Sequence, residues 1–505
     1  MPHTLQAGPV QVRYENGFLR YISVEGTEIL RMIYFAIRDQ NWQTASISII
    51  NEVINEQADS FRINYTWHVN DLNIQMVGQV TIQGDSNGTI SVDFRSKAEN
   101  SFQKNRIGLC VLHPIDGVLG QPAEITAPDG SVTAGDFPTF ISPNQPFLNV
   151  QSMRWQPASG STWQLDFSGD VFETEDQRNW TDTSFKTYST PLTKPFPVTV
   201  SAGDEFNQRV VFKLANEPLT DNIPVGELRE EEEPIAPTAP TYPLIGVGQR
   251  TGGPRLTASE ATLLRKLNLS HLRADVFFSL PNWQELLADA VSDAQSLVVP
   301  LELAVFFGND PKAKLWSVHD FFRRHPVPIR SILLFDAETL TTSDTLLQAL
   351  TPIIRTEWPT LLIGGGTDDN FAELNRHPFD FELVDFVTYS VNPQVHASDD
   401  LTLQENIAGQ AETVLSARRL NGGKPVHISP ITLRPRFVTR AGTATERLNI
   451  PADPRQTTEF GADWTRRSLQ TLQQVGVASV TYYQSHGPGG LVDGEKAYPV
   501  FSVFE

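Results

Sequence analysis

Beyond residue 243 the hydrophobic pattern changes period, and this change restricts the folds open to the chain. From Leu244 onward, short apolar runs alternate with longer amphipathic stretches. Strand-like runs are Leu244–Gly248, His271–Phe277, Ser296–Phe306, Ile329–Phe335, Leu361–Gly365, Val384–Val391, Pro425–Pro430 and Ala478–Tyr483. Helical spacing marks Ala258–Leu267, Trp283–Val291, Leu315–Arg324, Ser343–Trp358, Phe371–Asn375, Leu401–Leu420 and Gln456–Val475 between them. Thr257 with Glu260 three residues on reads as a capping box, and Asn421-Gly422-Gly423 as a helix stop. Strands that alternate with helices build a parallel sheet, because each crossover must return along one face. The eight strand runs between residues 244 and 487 match the size of a (β/α)8 TIM-type barrel, about 250 residues. A doubly wound open sheet is the competing architecture. It lacks the glycine-rich dinucleotide turn, since Gly246-Val247-Gly248 has no third glycine at the required offset.

Residues 1–226 carry a different pattern. Val10–Tyr14, Leu19–Val24, Ile29–Ile37, Ser46–Ile54, Phe61–His68, Asn73–Ile82 and Thr89–Phe94 are short, alternating and rich in β-branched or aromatic residues. Asn16-Gly17, Glu25-Gly26, Asn87-Gly88 and Asp129-Gly130 punctuate them as turns, which predicts an antiparallel β-sandwich. Residues 227–243 hold an acidic run followed by repeated prolines, the composition of a stiff linker. The expected organisation is therefore 1–226 sandwich, 227–243 linker, 244–487 barrel and a short 488–505 tail.

Acidic residues number 59 and basic ones 39, a net charge of −20. That balance argues against nucleic acid or an anionic membrane as a partner, since both need a basic surface. Cys110 is the only cysteine, which excludes an internal disulfide and thiolate metal clusters. No run approaches the roughly 20 apolar residues of a membrane span. Met1–Val10 lacks the basic-then-apolar order of a secretory signal. A cytoplasmic protein is expected. The oligomeric state is not written in the sequence.

In a barrel the chemistry sits at the C-terminal strand ends. Ser390–Asp400 (S-V-N-P-Q-V-H-A-S-D-D) is the richest: an apolar run gives way to Asn392, Gln394 and His396, with Asp399 placed to orient His396. The other ends offer Arg273 and Asp275, Glu302, Asp336 and Glu338, Thr367 beside Asp368, His427, and Tyr483 with Gln484. In the sandwich half, Phe172–Asp182 packs acids, Arg178, Asn179 and Trp180 into one loop that could hold sugar hydroxyls. This neutral-to-acidic set of amides and hydroxyls suits a polyhydroxylated ligand. A retaining glycosidase needs two close carboxylates; Asp336 and Glu338 are present, but the seventh run has none. The first run has no histidine for a metal, and G-x-S-x-G is absent. Attack by water on an ester or lactone remains, with His396, His427 or Glu302 as base and Arg273, Tyr483 or Gln484 polarising the carbonyl. Neither metal nor cofactor is expected.

Several unusual strings carry a resemblance along nearly the whole chain. They are Arg38–Trp42 (R-D-Q-N-W), Asn105–Gly108 with His113-Pro114, Ser142–Phe147, Glu175–Tyr188 (E-D-Q-R-N-W-T-D-T-S-F-K-T-Y), Gly365-Gly366-Thr367 with Asn375-Arg376, Asn392–His396, Thr432–Phe437 (T-L-R-P-R-F) and Asp453–Gln456. In these the chain resembles the D-apionate lactonases, bacterial enzymes of branched-pentose catabolism that open D-apionolactone to D-apionate. The resemblance implies a β domain, a barrel and a small C-terminal domain, a sugar lactone as substrate, and functional Asn392, Gln394 and His396. It also implies an acid after the eighth strand, where this chain has Gln484 with His486 nearby, and the C-terminal domain looks curtailed. A glycoside hydrolase acting on apiose-bearing or other plant glycans, with Asp336 or Glu338 as acid, and a non-catalytic carbohydrate-binding relative are the alternatives.

Overall fold

A computed structural model describes residues 2–215, 217–219, 242–436 and 444–505. Most of the acidic, proline-rich linker (227–241) lies outside the described residues. Two compact units emerge. One comprises 1–177 and 184–232, the other 178–183 and 233–505.

The first unit is two antiparallel sheets. One runs in the order His3–Ala7, Val10–Glu15, Phe18–Val24, Thr27–Asp39, Phe102–Pro114, Ser184–Tyr188, Phe172–Asp176 and Phe147–Val150, with Val198–Val200 also paired to Phe102–Pro114. The other begins at Val132–Asp136 and ends at the long edge strand Ile47–Glu56. Alternation places the core. In Phe61–Asp71, residues Phe61, Ile63, Tyr65, Trp67 and Val69 are buried while their neighbours are less so. Trp67 stacks on Phe94 at 5.6 Å between ring centres, and Phe35 lies 4.8 Å from Phe94. One apolar cluster spans both sheets, as a sandwich requires.

In the second unit eight parallel strands close into a barrel. They are β1 (Leu244–Gly248), β2 (His271–Phe277), β3 (Leu301–Phe307), β4 (Ile329–Asp336), β5 (Leu362–Gly366), β6 (Phe386–Val391), β7 (Val426–Ile431) and β8 (Ser479–Gln484). The predicted third strand started too early. Ser296 belongs to helix Trp283–Leu297, which stops where Val298 turns left-handed at φ 63°. The predicted helix Leu401–Leu420 is two helices, Asp400–Glu405 and Ile407–Leu420. The capping box at Thr257 and Glu260 forms as the sequence dictates. The tail folds onto the barrel unit: Val492–Asp493 pairs with Lys496–Ala497, and Phe504 lies 5.4 Å from the Tyr482 ring.

Small residues shape the interior. A Cβ on Gly246 of β1 would stand 2.1 Å from Nε2 of His271, so glycine makes room for that imidazole. Toward the C-terminal end of the interior, Phe277, Phe306 and Phe335 form an aromatic ladder along β2, β3 and β4, at 4.4 and 5.5 Å between successive rings.

The segment Arg178–Thr183 belongs to the barrel unit, although the strands flanking it belong to the sandwich. Its seat is helix Ile407–Leu420. A Cβ on Gly409 would lie 2.1 Å from the Thr181 carbonyl oxygen, with backbone on both sides. Replacing Gly409 with Ala is expected to cost about 1–3 kcal/mol by overpacking. Thermal unfolding of the Gly409→Ala protein checks it; an unchanged midpoint would refute this seat.

Candidate active site

The N-terminal half of the barrel interior is a closed polar layer. Glu302, second in β3, receives hydrogen bonds from Ser429 Oγ (2.5 Å) and Ser331 Oγ (3.2 Å), one on each carboxylate oxygen. His271, first in β2, accepts from Arg330 Nη1 at Nδ1 (3.1 Å), so its Nε2–H faces Thr481 Oγ1 at 2.8 Å. His427, second in β7, stacks on Phe386 at 3.7 Å, and its Nδ1 is buried with no partner among the described residues. Burial pushes the His271 imidazole down to about 4 and the His427 imidazole down to about 3. Burial works against ionisation of Glu302 too, but the neighbouring imidazoles, the Ser429 hydroxyl and Arg273 outweigh it and hold the carboxyl below its usual range.

Above this layer four charges close a ring. Arg273 and Asp275 stand two residues apart on β2 and so share a face. Arg273 donates from Nε to Asp275 Oδ1 (3.0 Å) and from Nη2 to Asp368 Oδ1 (2.5 Å). Its Nη1 reaches the carbonyl and hydroxyl of Ser429, which links the ring to Glu302. Arg436 closes the other side, donating to Asp368 Oδ1 (2.7 Å) and Oδ2 (2.9 Å) and to Asp275 Oδ2. Each carboxylate thus meets both guanidiniums. Burial pushes the Asp368 carboxyl up despite the two cations, whereas at Asp275 the fields of Arg436 and Arg273 overcome burial and hold it down. Arg273 is sealed, while Arg436 is partly open to solvent.

A second constellation lies beyond the ends of β5 and β6. His396 Nδ1 is 2.7 Å from Asp182 Oδ2, and Asn406 Nδ2 donates to Asp182 Oδ1 at 3.0 Å. The Trp180 and His396 rings lie 5.2 Å apart at 84°, and the Arg376 guanidinium lies 4.9 Å over Trp180. The expected orienting group, Asp399, does other work: it caps helix Asp400–Glu405 by accepting from Thr402. A carboxylate at a ring Nδ1 fixes the tautomer and aims Nε2.

Many residues expected to grip substrate instead hold the loops. Gln394 donates to Leu433 O and to Asp453 Oδ2 (2.7 Å). Asn392 is clamped by Asn370 and Gln394, and Thr181 donates to its carbonyl. The Thr367 hydroxyl donates to Leu340 O and accepts from Asp369 N. Arg178 is fully buried against Glu412 (2.9 Å), and Asn179 accepts from Asn375 (3.0 Å). Tyr483 adopts φ 52° and turns its hydroxyl outward to Thr465 on helix Glu459–Gln474, at 2.8 Å, so it cannot be a donor inside the barrel. Glu302 and His427 lie in the sealed layer, too deep to meet a ligand at the mouth. His486, near Gln484 in sequence, is buried with Nε2 2.7 Å from Pro254 O. Glu338 is exposed after β4, where Asp336 Oδ1 ties down the loop through the Glu338 and Thr339 amides. The Gln484 side chain has no hydrogen bond among the described residues, and its Oε1 lies beside Gly489.

Asp182, Asp368 and Arg436 lie in stretches the sequence singles out, but the sequence alone assigned them no role. Each sits inside a string that carries the resemblance or beside one, which was the available signal. A surface groove of about 600 Å³ lined by His319, Glu357, Trp358 and Leu361 lies at the N-terminal ends of β4 and β5, away from all this chemistry. Among the described residues no group of three or more His, Cys, Asp or Glu is placed to hold a metal ion. No described helix is long and apolar enough to cross a membrane.

Two outcomes follow for stability. Arg273→Met leaves two buried carboxylates sharing one guanidinium and should cost about 3–5 kcal/mol, with Arg273→Met/Asp368→Leu recovering part of it; chemical denaturation of both proteins measures this. The imidazoles give a pH dependence. The unfolded chain takes up protons near 6.5, while folded His271 and His427 wait until about 4 and 3. Their contribution is full above about 6.5 and falls as pH drops, by roughly 2 kcal/mol for each imidazole between pH 6.5 and 5. His427→Leu should flatten that acid limb by about half, read as the difference in urea midpoint between pH 7 and 5.

Comparison with known proteins agrees with this architecture. A family model described as the D-apionate lactonase N-terminal domain matches residues 1–217, and one described as the D-apionate lactonase TIM barrel domain matches 245–505. A D-apionate lactonase of Brucella anthropi is 29% identical, across 98% of this chain and 84% of that protein. Among solved structures, a β-arabinopyranosidase matches at 9% identity and TM-score 0.29 over 93% of this chain and 85% of its own. A family 51 α-L-arabinofuranosidase of Bifidobacterium longum matches at 13% identity and TM-score 0.37 over 53% of this chain and 73% of its own. Those two scores are too low to carry any argument about activity. The two family models together span both folded units, and the chain belongs to the D-apionate lactonase family of enzymes.

Proposed function

We propose that the protein hydrolyses a sugar lactone, D-apionolactone or a close analogue, by direct attack of water on the ester carbonyl. The hydrogen bond between His396 and Asp182 is the observation that carries the reading beyond family membership. With Nδ1 held by Asp182, His396 takes a proton from water at Nε2 as the oxygen adds to the carbonyl carbon. Arg436, the ring guanidinium open to solvent, steadies the charge that develops on the carbonyl oxygen. When the ring C–O bond breaks, the imidazolium returns its proton to the leaving alkoxide, and the product is the open hydroxy acid. The aromatic ladder of Phe277, Phe306 and Phe335 supplies an apolar wall for the carbon face of the sugar. Glycoside hydrolysis finds no support at these strand ends. Asp336 is engaged in its own loop, and β7 (V-H-I-S-P-I) has no carboxylate.

The test is acid release from D-apionolactone at neutral pH. Turnover above buffer is expected, with no cleavage of aryl glycosides. His396→Asn should lower kcat by about 10²–10⁴. Asp182→Asn should lower kcat with little change in KM, because it disturbs the tautomer rather than substrate contacts. No rate above buffer would overturn the reading; full activity in His396→Asn would remove only the assigned base.

A further inference from the structure

Two of the strings that carry the resemblance, R-D-Q-N-W and N-R-I-G, play no part in the barrel chemistry. The first unit brings them together. Arg38 and Arg106 are register partners across adjacent strands, and Asn105 Nδ2 donates to Gln40 O at 3.2 Å. Asp39 Oδ1 accepts from the amides of Asn41 and Gln43, both at 2.8 Å, and Arg38 Nη1 donates to Trp42 O at 2.8 Å. This turn holds Trp42 at φ 66°, a conformation that strains a bulky residue and that glycine or asparagine would adopt more easily. In this conformation the Trp42 ring is 40% exposed.

Phe196, 43% exposed, stands 5.3 Å from Trp42 with the rings at 70°. The Arg106 guanidinium backs both, 5.3 Å from the Trp42 ring and 4.9 Å from Phe196. Arg106 is itself 5% exposed, and its Nε and Nη2 are buried without a hydrogen-bond partner among the described residues, as is Asn105 Oδ1. Two half-exposed aromatic rings held in place over a buried guanidinium are the equipment that takes the C–H face of a sugar. The net charge of −20 disfavours an anionic ligand, so a neutral sugar is the better fit.

We propose that Trp42, Phe196 and Arg106 form a saccharide-binding site on the β-sandwich, selective for neutral sugar units and separate from the barrel chemistry. Native gels cast with soluble neutral polysaccharides (xylan, arabinan, galactan) or with polygalacturonate test it on the full-length protein. At least one neutral polymer should retard the protein. Trp42→Ala and Phe196→Ala, both at exposed rings, should each weaken that retardation by about fivefold or more. Trp42→Phe should retain part of it, and rates on the lactone should not change. Retardation that survives Trp42→Ala and Phe196→Ala, the absence of retardation by any neutral polymer, or binding confined to polygalacturonate would each overturn the proposal. Thermal midpoints matching the parent protein confirm that a weakened variant is folded.

Discussion

Arg273 is a cation sealed inside a barrel, and the interior of the second unit is arranged to make that tolerable. An isolated buried guanidinium would cost many kcal/mol, so its charge must be met by nearby anions in good geometry. Asp275 and Asp368 meet it, but two carboxylates in one buried site repel each other, and Arg436 resolves that by contacting both. Ser429 then hands the remaining Arg273 donor down to Glu302. The two histidines below stay neutral because burial makes a further cation too costly there. Removing one member leaves its partners uncompensated, so the set acts as a unit.

The interior has two characters. An aromatic patch runs from Phe277 on β2 to Phe335 on β4, and the charged ring borders it through Arg273 and Asp275 of the same β2. An apolar wall for carbon faces and an ionic wall for oxygens is the division that a polyhydroxylated ester demands. The ring also separates depth from reactivity. Groups under it are buried and set the shape, with Glu302 hydrogen-bonded on both carboxylate oxygens. Arg436 and His396 are the ones with access to solvent.

The strand ends show how side chains that look like ligand-binding groups become scaffolding. Asn392, Gln394 and Thr367 direct their polar atoms into neighbouring loops, because loops of this length leave backbone groups that need partners. Arg178–Thr183 adds the missing carboxylate: Asp182 arrives at His396 from 214 residues away in sequence. The nearer acid, Asp399, caps the helix it begins, accepting from the Thr402 amide and hydroxyl.

Local chemistry in the sequence was enough to determine the architecture. Alternation with period two wrote the sandwich strands, the strand–helix rhythm after Leu244 wrote eight βα units, and Thr257 and Asn421 wrote helix ends, because each depends on residues within a few positions. Errors such as the early start at Ser296 arose where a helix end and a strand share the same apolar composition. The pairings of the candidate site were beyond that reach. Arg273 finds Asp368 across 95 residues, and Tyr483 turns away from the interior through one left-handed residue that no local pattern announces. The sequence by itself determined which charges and rings would be available; only closure of the barrel decided which were buried together, because burial and opposite charge, not proximity in the chain, select those partners.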